Sequence, residues 1–471
     1  MSVADSAATS RSEPTGARSG DGVKILALAI GFVMATLDAT IVTVAAVDIA
    51  DDIGMGVAGL TWLMDGYILS FASLLLLSGS LADRFGARRT YLAGLAVFIV
   101  GSTMCGLAGG GTFLIVSRIV QGAGAALFMP SSLSLLVGEF PEPRRRATVL
   151  GLWTAIVSTA SGLGPAIGGV LVGTLGWRSI FLINIPFGIV GAVLTLRRIS
   201  PSPRRPRSLN LASNAAAAGL VAALSIALIE GPHLGWGSPR MIALGAVAVI
   251  AAGTLILVER SAADPLMPRS LLHNPVFVSA TAIGFLLNLA LFGSIFMLGV
   301  FMQRAWGLTS MTAGVWLLPM MAVFVLGNLT FARLARRVGS RRPVLVALPL
   351  AAACVATMVT ISASTPYVVL AVLVGVANFC VGVTVPALTA TLMEAAGSHA
   401  NTAGALLNAN RQVGALLGVA AVGTVLASAG DWYRAASVGF AITALAYGAA
   451  GALAWRFTRG EATARPAPAA R

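Results

Sequence analysis

The chain alternates long apolar runs with short charged joints, and that alternation leaves few folds open. Fourteen runs are long enough to cross a bilayer, which takes about 20 apolar residues in helical form. They cover roughly 23–46, 58–81, 90–108, 112–137, 147–173, 179–196, 210–230, 240–258, 276–301, 310–331, 343–362, 366–392, 401–427 and 433–455. Only 10% of the residues are charged and 57% are hydrophobic, whereas soluble domains carry about 25% charge. Without water in the bilayer core, backbone N–H and C=O groups must pair within each segment, so every run is read as a helix. The predicted fold is an all-α integral membrane protein. Its 53 glycines suit close helix contact in lipid. Cys105, Cys354 and Cys380 all fall inside runs and read as small packing residues, not as a disulfide framework.

Charge sets the orientation. With both termini in the cytoplasm, 25 of the 31 basic residues lie in cytoplasmic segments. Arg178, Arg240, Arg304 and Arg434 then fall outside, while Arg118 and Arg411 lie within spans. The opposite orientation inverts the positive-inside bias, so a multi-pass plasma (inner) membrane protein with cytoplasmic termini is expected. The net charge of +14 therefore belongs to a membrane face and does not point to nucleic acid. Residues 1–22 read as a disordered cytoplasmic tail. No cleavage site follows the first run, which is kept as a helix. The expected units are a bundle of six spans over 23–199, a linker with two extra spans over 200–262, a second six-span bundle over 263–455, and a cytoplasmic tail over 456–471. Within 197–209, Arg197, Arg198, Arg204, Arg205 and Arg207 accompany three prolines. That stretch reads as an anchor on anionic lipid.

Between the second and third runs lies Gly79–Arg89, G-S-L-A-D-R-F-G-A-R-R. Gly86 permits a sharp reversal. Arg84, Arg88 and Arg89 hold the turn to the cytoplasm. A merely solvated basic loop would account for the arginines but not for the spacing of Gly79, Asp83 and Gly86. Ala332–Arg342, A-R-L-A-R-R-V-G-S-R-R, matches it at six of eleven positions, with Arg336 where the first copy has Asp83. Two copies facing one side indicate a parallel repeat, as in two-halved transporters. The first copy resembles the signature loop of the major facilitator superfamily, which implies two six-helix bundles that rock about a central cavity. It assigns Gly79, Asp83, Arg84, Gly86, Arg88 and Arg89 to a conformational gate.

Two acids and a base lie inside the first bundle. Asp38 in span one and Asp65 in span two are some eight or nine residues from the outer end, about 12–13 Å deep. Arg118 in span four is some six residues in, about 9 Å. These groups are expected to share a level, with Gln121 one turn from Arg118 on the same face. Charges at such depth are costly and mark proton or substrate pathways by default. A static ion pair that fixes packing is the plainer alternative, but one arginine cannot serve two separated carboxylates equally. Burial favours a neutral acid and a neighbouring guanidinium an ionised one, so at least one acid is expected to exchange protons.

The segment around Asp38, L-D-A-T-I-V-T-V-A, resembles the first-helix motif of the fourteen-span drug:proton antiporters. Thr43 stands where that family usually has asparagine. Span five resembles their antiporter motif at Gly151, Gly164, Pro165, Gly168 and Gly169, with Ala160 at the remaining glycine position. Proline and a glycine face suit a bent helix in tight contact with a neighbour. W-L-M-D-G-Y around Asp65 resembles the quaternary-ammonium exporters of that family, and implies that Asp65 reads substrate charge while Asp38 couples protons. In the second half, Asn288 in span nine offers a neutral polar contact. Arg411, in L-L-N-A-N-R-Q-V-G, either touches substrate or bonds carbonyls at a broken helix.

The resemblances cover about residues 23–455. They imply a proton-coupled exporter, acting as a monomer without a cofactor, of amphipathic and chiefly cationic small molecules. One charge crossing about 100 mV releases about 2.3 kcal/mol, roughly 50-fold accumulation. Lys24 is the only lysine, so no Walker loop exists to use ATP. His233, His273 and His399 are scattered in loops and lack metal-ligand spacing. Nothing reads as an enzyme site. Export of one endogenous metabolite, antibiotic or peptide is the nearest alternative. A non-transporting membrane sensor is the more remote one.

Overall fold

Each apolar run closes its backbone hydrogen bonds within itself, as a bilayer demands. A computed structural model describes residues 21–202, 204, 211–261, 269–396, 400–428 and 430–462. The expected tail up to residue 20, Arg205, Arg207, His399 and residues 463–471 lie outside the described residues. The first half comprises α1 (Asp21–Ile53), α2 (Val57–Phe85), α3 (Ala87–Gly106), α4 (Gly111–Glu139), α5 (Pro143–Leu175), the short α6 (Ser179–Leu182) and α7 (Asn184–Arg198). Then come α8 (Leu211–Leu234), α9 (Pro239–Ser261) and the short α10 (Arg269–Leu272). The second half comprises α11 (Pro275–Arg304), α12 (Ser310–Val338), α13 (Arg341–Thr357), α14 (Tyr367–Ala396), α15 (Ala400–Ser428) and α16 (Trp432–Ala462). With α6 and α7 forming one span, fourteen helices among the described residues are long and apolar enough to cross a membrane, the number expected. α16 continues past the expected end at 455, since extending a formed helix costs little.

The signature loop is tighter than its sequence suggests. Gly86 alone separates α2 from α3, with φ of 93° and its N–H bonded to the Ala82 carbonyl at 2.9 Å. Its counterpart Gly339 has φ of 76° and bonds the Ala335 carbonyl at 3.0 Å. Both positions need the left-handed backbone that glycine adopts freely, so the repeat extends from sequence to geometry.

Within the first half α4 packs on α2 and α3, and α1 on α5 and α7. Within the second half α15 and α16 pack on α11, and α14 on α12 and α13. The halves meet where α2 crosses α15, α5 crosses α12 and α1 meets α11. Two of these contacts pair the second span of one half with the fifth of the other, the relation a parallel repeat requires. α8 lies on both α2 and α15 and so covers one seam between the halves. Trp62 Nε1 donates to Glu230 at 2.7 Å, and Thr424 Oγ1 to the Leu228 carbonyl at 2.8 Å. α9 packs on α8 and buries little of itself.

At the end away from the signature loop the halves are bonded together. Gln303 Nε2 donates to the Val44 carbonyl at 2.9 Å, and its Oε1 accepts from Ser310 Oγ at 2.8 Å. Ser310 also donates to Asp48, and Arg304 pairs with Asp51 at 2.5 Å. Asp52 accepts from Trp177 at 3.0 Å and Arg178 at 2.9 Å, which ties α1 to the start of α6. Gln303 is buried, whereas the Arg304–Asp51 pair is exposed to solvent.

That contrast ranks the contributions. Gln303→Leu removes the buried bonds to the Val44 carbonyl and Ser310 Oγ and should cost about 0.5–1.5 kcal/mol of closure for each bond lost. Arg304→Gln removes an exposed pair worth about 0–1 kcal/mol. Spin-label distances across this end should lengthen in the first variant and hold in the second. Equal distributions in both would remove Gln303 from the closure.

Candidate functional site

Arg118 is positioned by the close packing of α4 against α3 through small residues. On α3, Gly101 lies so close to α4 that a Cβ there would sit 2.7 Å from the Gln121 backbone nitrogen. This fixes Gln121 and, three residues before it, Arg118. Both Asp38 and Arg118 have fully buried side chains and form an ion pair. Gln121 Nε2 donates to Asp38 Oδ1 at 2.9 Å and to Ser102 Oγ at 2.8 Å, while its Oε1 accepts from Arg118 at 2.6 Å. Arg118 Nε donates to the Leu63 carbonyl at 3.1 Å. Its guanidinium lies 4.4 Å from the centre of the Tyr67 ring and 5.7 Å from that of Phe181. Asn184 Nδ2 reaches Asp38 Oδ1 at 3.5 Å. Asp38, Arg118 and Gln121 therefore form one unit, which decides between the two acids the sequence placed at Arg118's level.

Asp65 stands apart from that unit. It has no exposed surface, and neither carboxylate oxygen has a hydrogen-bond partner among the described residues. The shared level expected for the two acids does not become a shared site: Arg118 bonds Asp38, Gln121 and the Leu63 carbonyl, and its Nη2 has no partner among the described residues. On α2, Thr61 faces Gly423 of α15 and Trp62 faces Glu230 of α8. Asp65 follows them by one turn, on the side toward α15 and α8.

A separate cavity of about 150 Å³ lies between the halves. Its polar lining comes from Thr40, Ser161, Asn288 and Arg411, and the rest is apolar, including Leu287, Phe292 and Phe324. Asn288 Nδ2 is bonded to the Gly284 carbonyl at 3.0 Å. α15 is unbroken at Arg411, whose Nη2 donates to the Val385 carbonyl at 3.3 Å and Thr389 Oγ1 at 3.2 Å. Its Nε is buried and has no partner among the described residues. Asp38, Asp65, Arg118 and Gln121 do not line this cavity, so the expected site divides into a buried polar unit and a central chamber.

The glycines of α5 connect the two. A Cβ at Gly164 would strike Thr40 Oγ1, and one at Gly168 would sit 3.1 Å from the Ile41 Cα. At Gly169 it would meet the Ser310 carbonyl of the other half at 2.6 Å. Pro165 presses its carbonyl on Gly314 of α12. Gly151 has open space around it and takes no part in this contact, being outside the packed part of α5. In the gate sequence, Gly79, Asp83 and Arg84 occupy the last turns of α2, and Arg88 and Arg89 the first turn of α3.

The Major Facilitator Superfamily model matches residues 28–419. The chain belongs to the major facilitator superfamily. It is 50% identical over 436 residues to the methylenomycin A resistance protein of Streptomyces coelicolor, covering 92% of each chain. It is 49% identical over 444 residues to the methylenomycin A resistance protein of Bacillus subtilis, covering 93% of this chain and 95% of that one. The multidrug resistance protein Stp of Mycobacterium tuberculosis is 34% identical over 86% of this chain and 75% of its own. The same fold occurs in a bacterial homologue of the human lysosomal transporter Spinster, solved inward-facing and unoccupied. That match has a TM-score of 0.69 at 17% identity, over 96% of this chain and 100% of the other.

For this facilitator chain, sequence reasoning missed Ser102, Asn184, Tyr67 and Gly101 around the ion pair, and Asp48, Gln303 and Ser310 at the closed end. Asn184 carried a usable signal as a lone amide in an apolar span. The run Asp48, Asp51, Asp52 ending span one was another.

The two acids should differ in stability as they do in bonding. Asp38→Leu leaves Arg118 buried and unpaired and should cost about 3–5 kcal/mol. Asp65→Leu breaks no bond and should stay within about 1 kcal/mol. Thermal unfolding of the purified variants measures the difference; equal losses would contradict the assignment of partners.

Proposed function

We propose that the chain is a proton-coupled exporter of a small amphipathic antibiotic or metabolite, working by alternating access. The observation that carries this reading is a central cavity between two repeat-related bundles that are bonded shut at one end. With the signature loop taken as cytoplasmic, the closed end is the outer one and the chamber belongs to an inward-facing state. Both termini are then cytoplasmic, the plasma (inner) membrane is the site of action, and one chain holds all the parts. No covalent chemistry is assigned to any residue.

Asp38 is the proposed proton-coupling group and Arg118 its resident counter-ion. A proton arriving on Asp38 weakens the pair and leaves Arg118 held by Gln121 and the Leu63 carbonyl alone. That changes how α1 and α4 are held. Because α1 also lines the chamber at Thr40 and carries the closed end at Asp48, it can link proton arrival to closure. Gly164, Gly168 and Gly169 keep α5 near enough to α1 and α12 to transmit the movement.

The chamber shifts the proposed substrate away from cations. Asp65, the residue expected to read positive charge, is not in its wall. Arg411 is the one cation among the lining residues, and no acid lines it. A neutral or anionic group fits a buried guanidinium Nε better than a second cation does. At about 150 Å³ the chamber is also below the roughly 300 Å³ from which drug-sized pockets begin. Both features favour one small antibiotic over a broad cationic panel. This agrees with the single-compound names of the relatives near 50% identity and leaves multidrug export as the second reading.

Vesicle flux tests the choice. Matched anionic, neutral and cationic amphiphiles are followed under an imposed proton gradient. The anionic probe should move fastest, and Arg411→Gln should slow it about tenfold or more while sparing the neutral one, consistent with loss of a charged hydrogen bond. A cationic preference unaffected by Arg411→Gln would overturn the substrate assignment. Absence of gradient-driven flux for all three would count against transport.

A further inference from the structure

At the signature-loop face, α2, α3 and the chain after α7 enclose a second cavity of about 280 Å³. We propose that it binds the phosphate of an anionic phospholipid, held jointly by Arg88, Arg89 and Arg204. The three arginines line one cavity with Ser202, and none of its lining residues is acidic. Three guanidiniums in one wall repel each other unless an anion sits among them. Arginine forks match phosphate oxygens bidentately.

The cavity is held in shape before any ligand arrives. Glu139 pairs with Lys24 at 2.5 Å and accepts the Ser200 N–H at 2.8 Å, which pins the chain leaving α7. The Arg88 N–H donates to Ser202 Oγ at 3.3 Å, and Arg88 Nη2 to the Leu196 carbonyl at 2.6 Å. Gly86 abuts the Ser202 carbonyl so closely that a Cβ would sit 3.1 Å away. Arg88 Nε is buried and has no partner among the described residues, one donor left over for a ligand. The remaining wall is apolar, from Leu92 and Leu196, and Phe85 stands half-exposed at the rim. An arginine floor beneath an apolar rim, at the end of membrane helices, fits a headgroup with its acyl chains better than a free ion. Such a ligand would tie the linker (Arg204) to the signature loop (Arg88, Arg89), so lipid charge could bias the gate.

Native mass spectrometry of the full-length protein, delipidated and titrated with phosphatidylglycerol or phosphatidylcholine, tests this. Phosphatidylglycerol should be retained about tenfold better, the difference expected for one charged hydrogen bond or more. Arg204→Gln and Arg88→Gln should each remove most of that preference. Arg342→Gln, the same charge loss in the other half, should leave it intact, and thermal unfolding verifies that all three variants fold. Glycerol 1-phosphate should not displace the lipid. Equal retention of both lipids, an equal effect of Arg342→Gln, or displacement by glycerol 1-phosphate would each overturn the lipid assignment, the last in favour of a soluble phosphate ester.

Discussion

A guanidinium and a carboxylate without exposed surface, paired inside one helical bundle, constrain every helix around them. Taking two ions out of water costs several kcal/mol each, which their attraction offsets only when the remaining donors and acceptors are also served. Here most of them are. Gln121 and the Leu63 carbonyl accept from Arg118, Gln121 bridges on to Ser102, and Tyr67 lies under the guanidinium face, while Arg118 Nη2 has no partner among the described residues. Those partners come from α2, α3 and α4 while Asp38 comes from α1, so the pair fixes four helices at once. Any event that changes the charge on Asp38 must be felt by all of them.

The second bundle repeats the helices but not the chemistry. Asn288 occupies the span that corresponds to α1, and it bonds its own helix. Arg411 occupies the span that corresponds to α5 and faces the chamber. One half therefore holds a closed polar unit and the other a single cation open to a ligand. Between them the contacts are backbone-close, with Gly169 on Ser310 and Gly314 on Pro165. Such contacts let rigid halves pivot without opening a gap.

The number of spans, their repeat and the grouping of Arg118 and Gln121 near the two acids were legible in the sequence, but not which acid Arg118 serves. Apolar length reports a span directly, and the six-of-eleven match between the loops reports the repeat. Depth along a helix also follows from counting residues. Azimuth does not. Counting residues puts Asp65 and Asp38 at similar depth, yet Asp38 bonds α4 while Asp65 follows Thr61 and Trp62 on the side toward α15 and α8, and only packing decides that. The closed end was illegible for a related reason: Gln303 and Ser310 lie hundreds of residues from Val44 and Asp48, with no local pattern to join them. The division between the polar unit and the chamber likewise depends on which face of α1 carries Asp38 and which carries Thr40.

The central claim is that Asp38 couples protons and is not a mere strut for Arg118. Substrate exchange without a gradient separates these roles, because counterflow needs the moving halves and the chamber but no proton. Asp38→Asn keeps one acceptor oxygen for Arg118, puts its amide NH2 toward Gln121 in place of the other, and loses the titratable charge. Counterflow by this variant in vesicles, measured beside gradient-driven efflux, should stay near the unmodified protein's rate while driven efflux disappears. Loss of both together, or survival of both, would contradict the account.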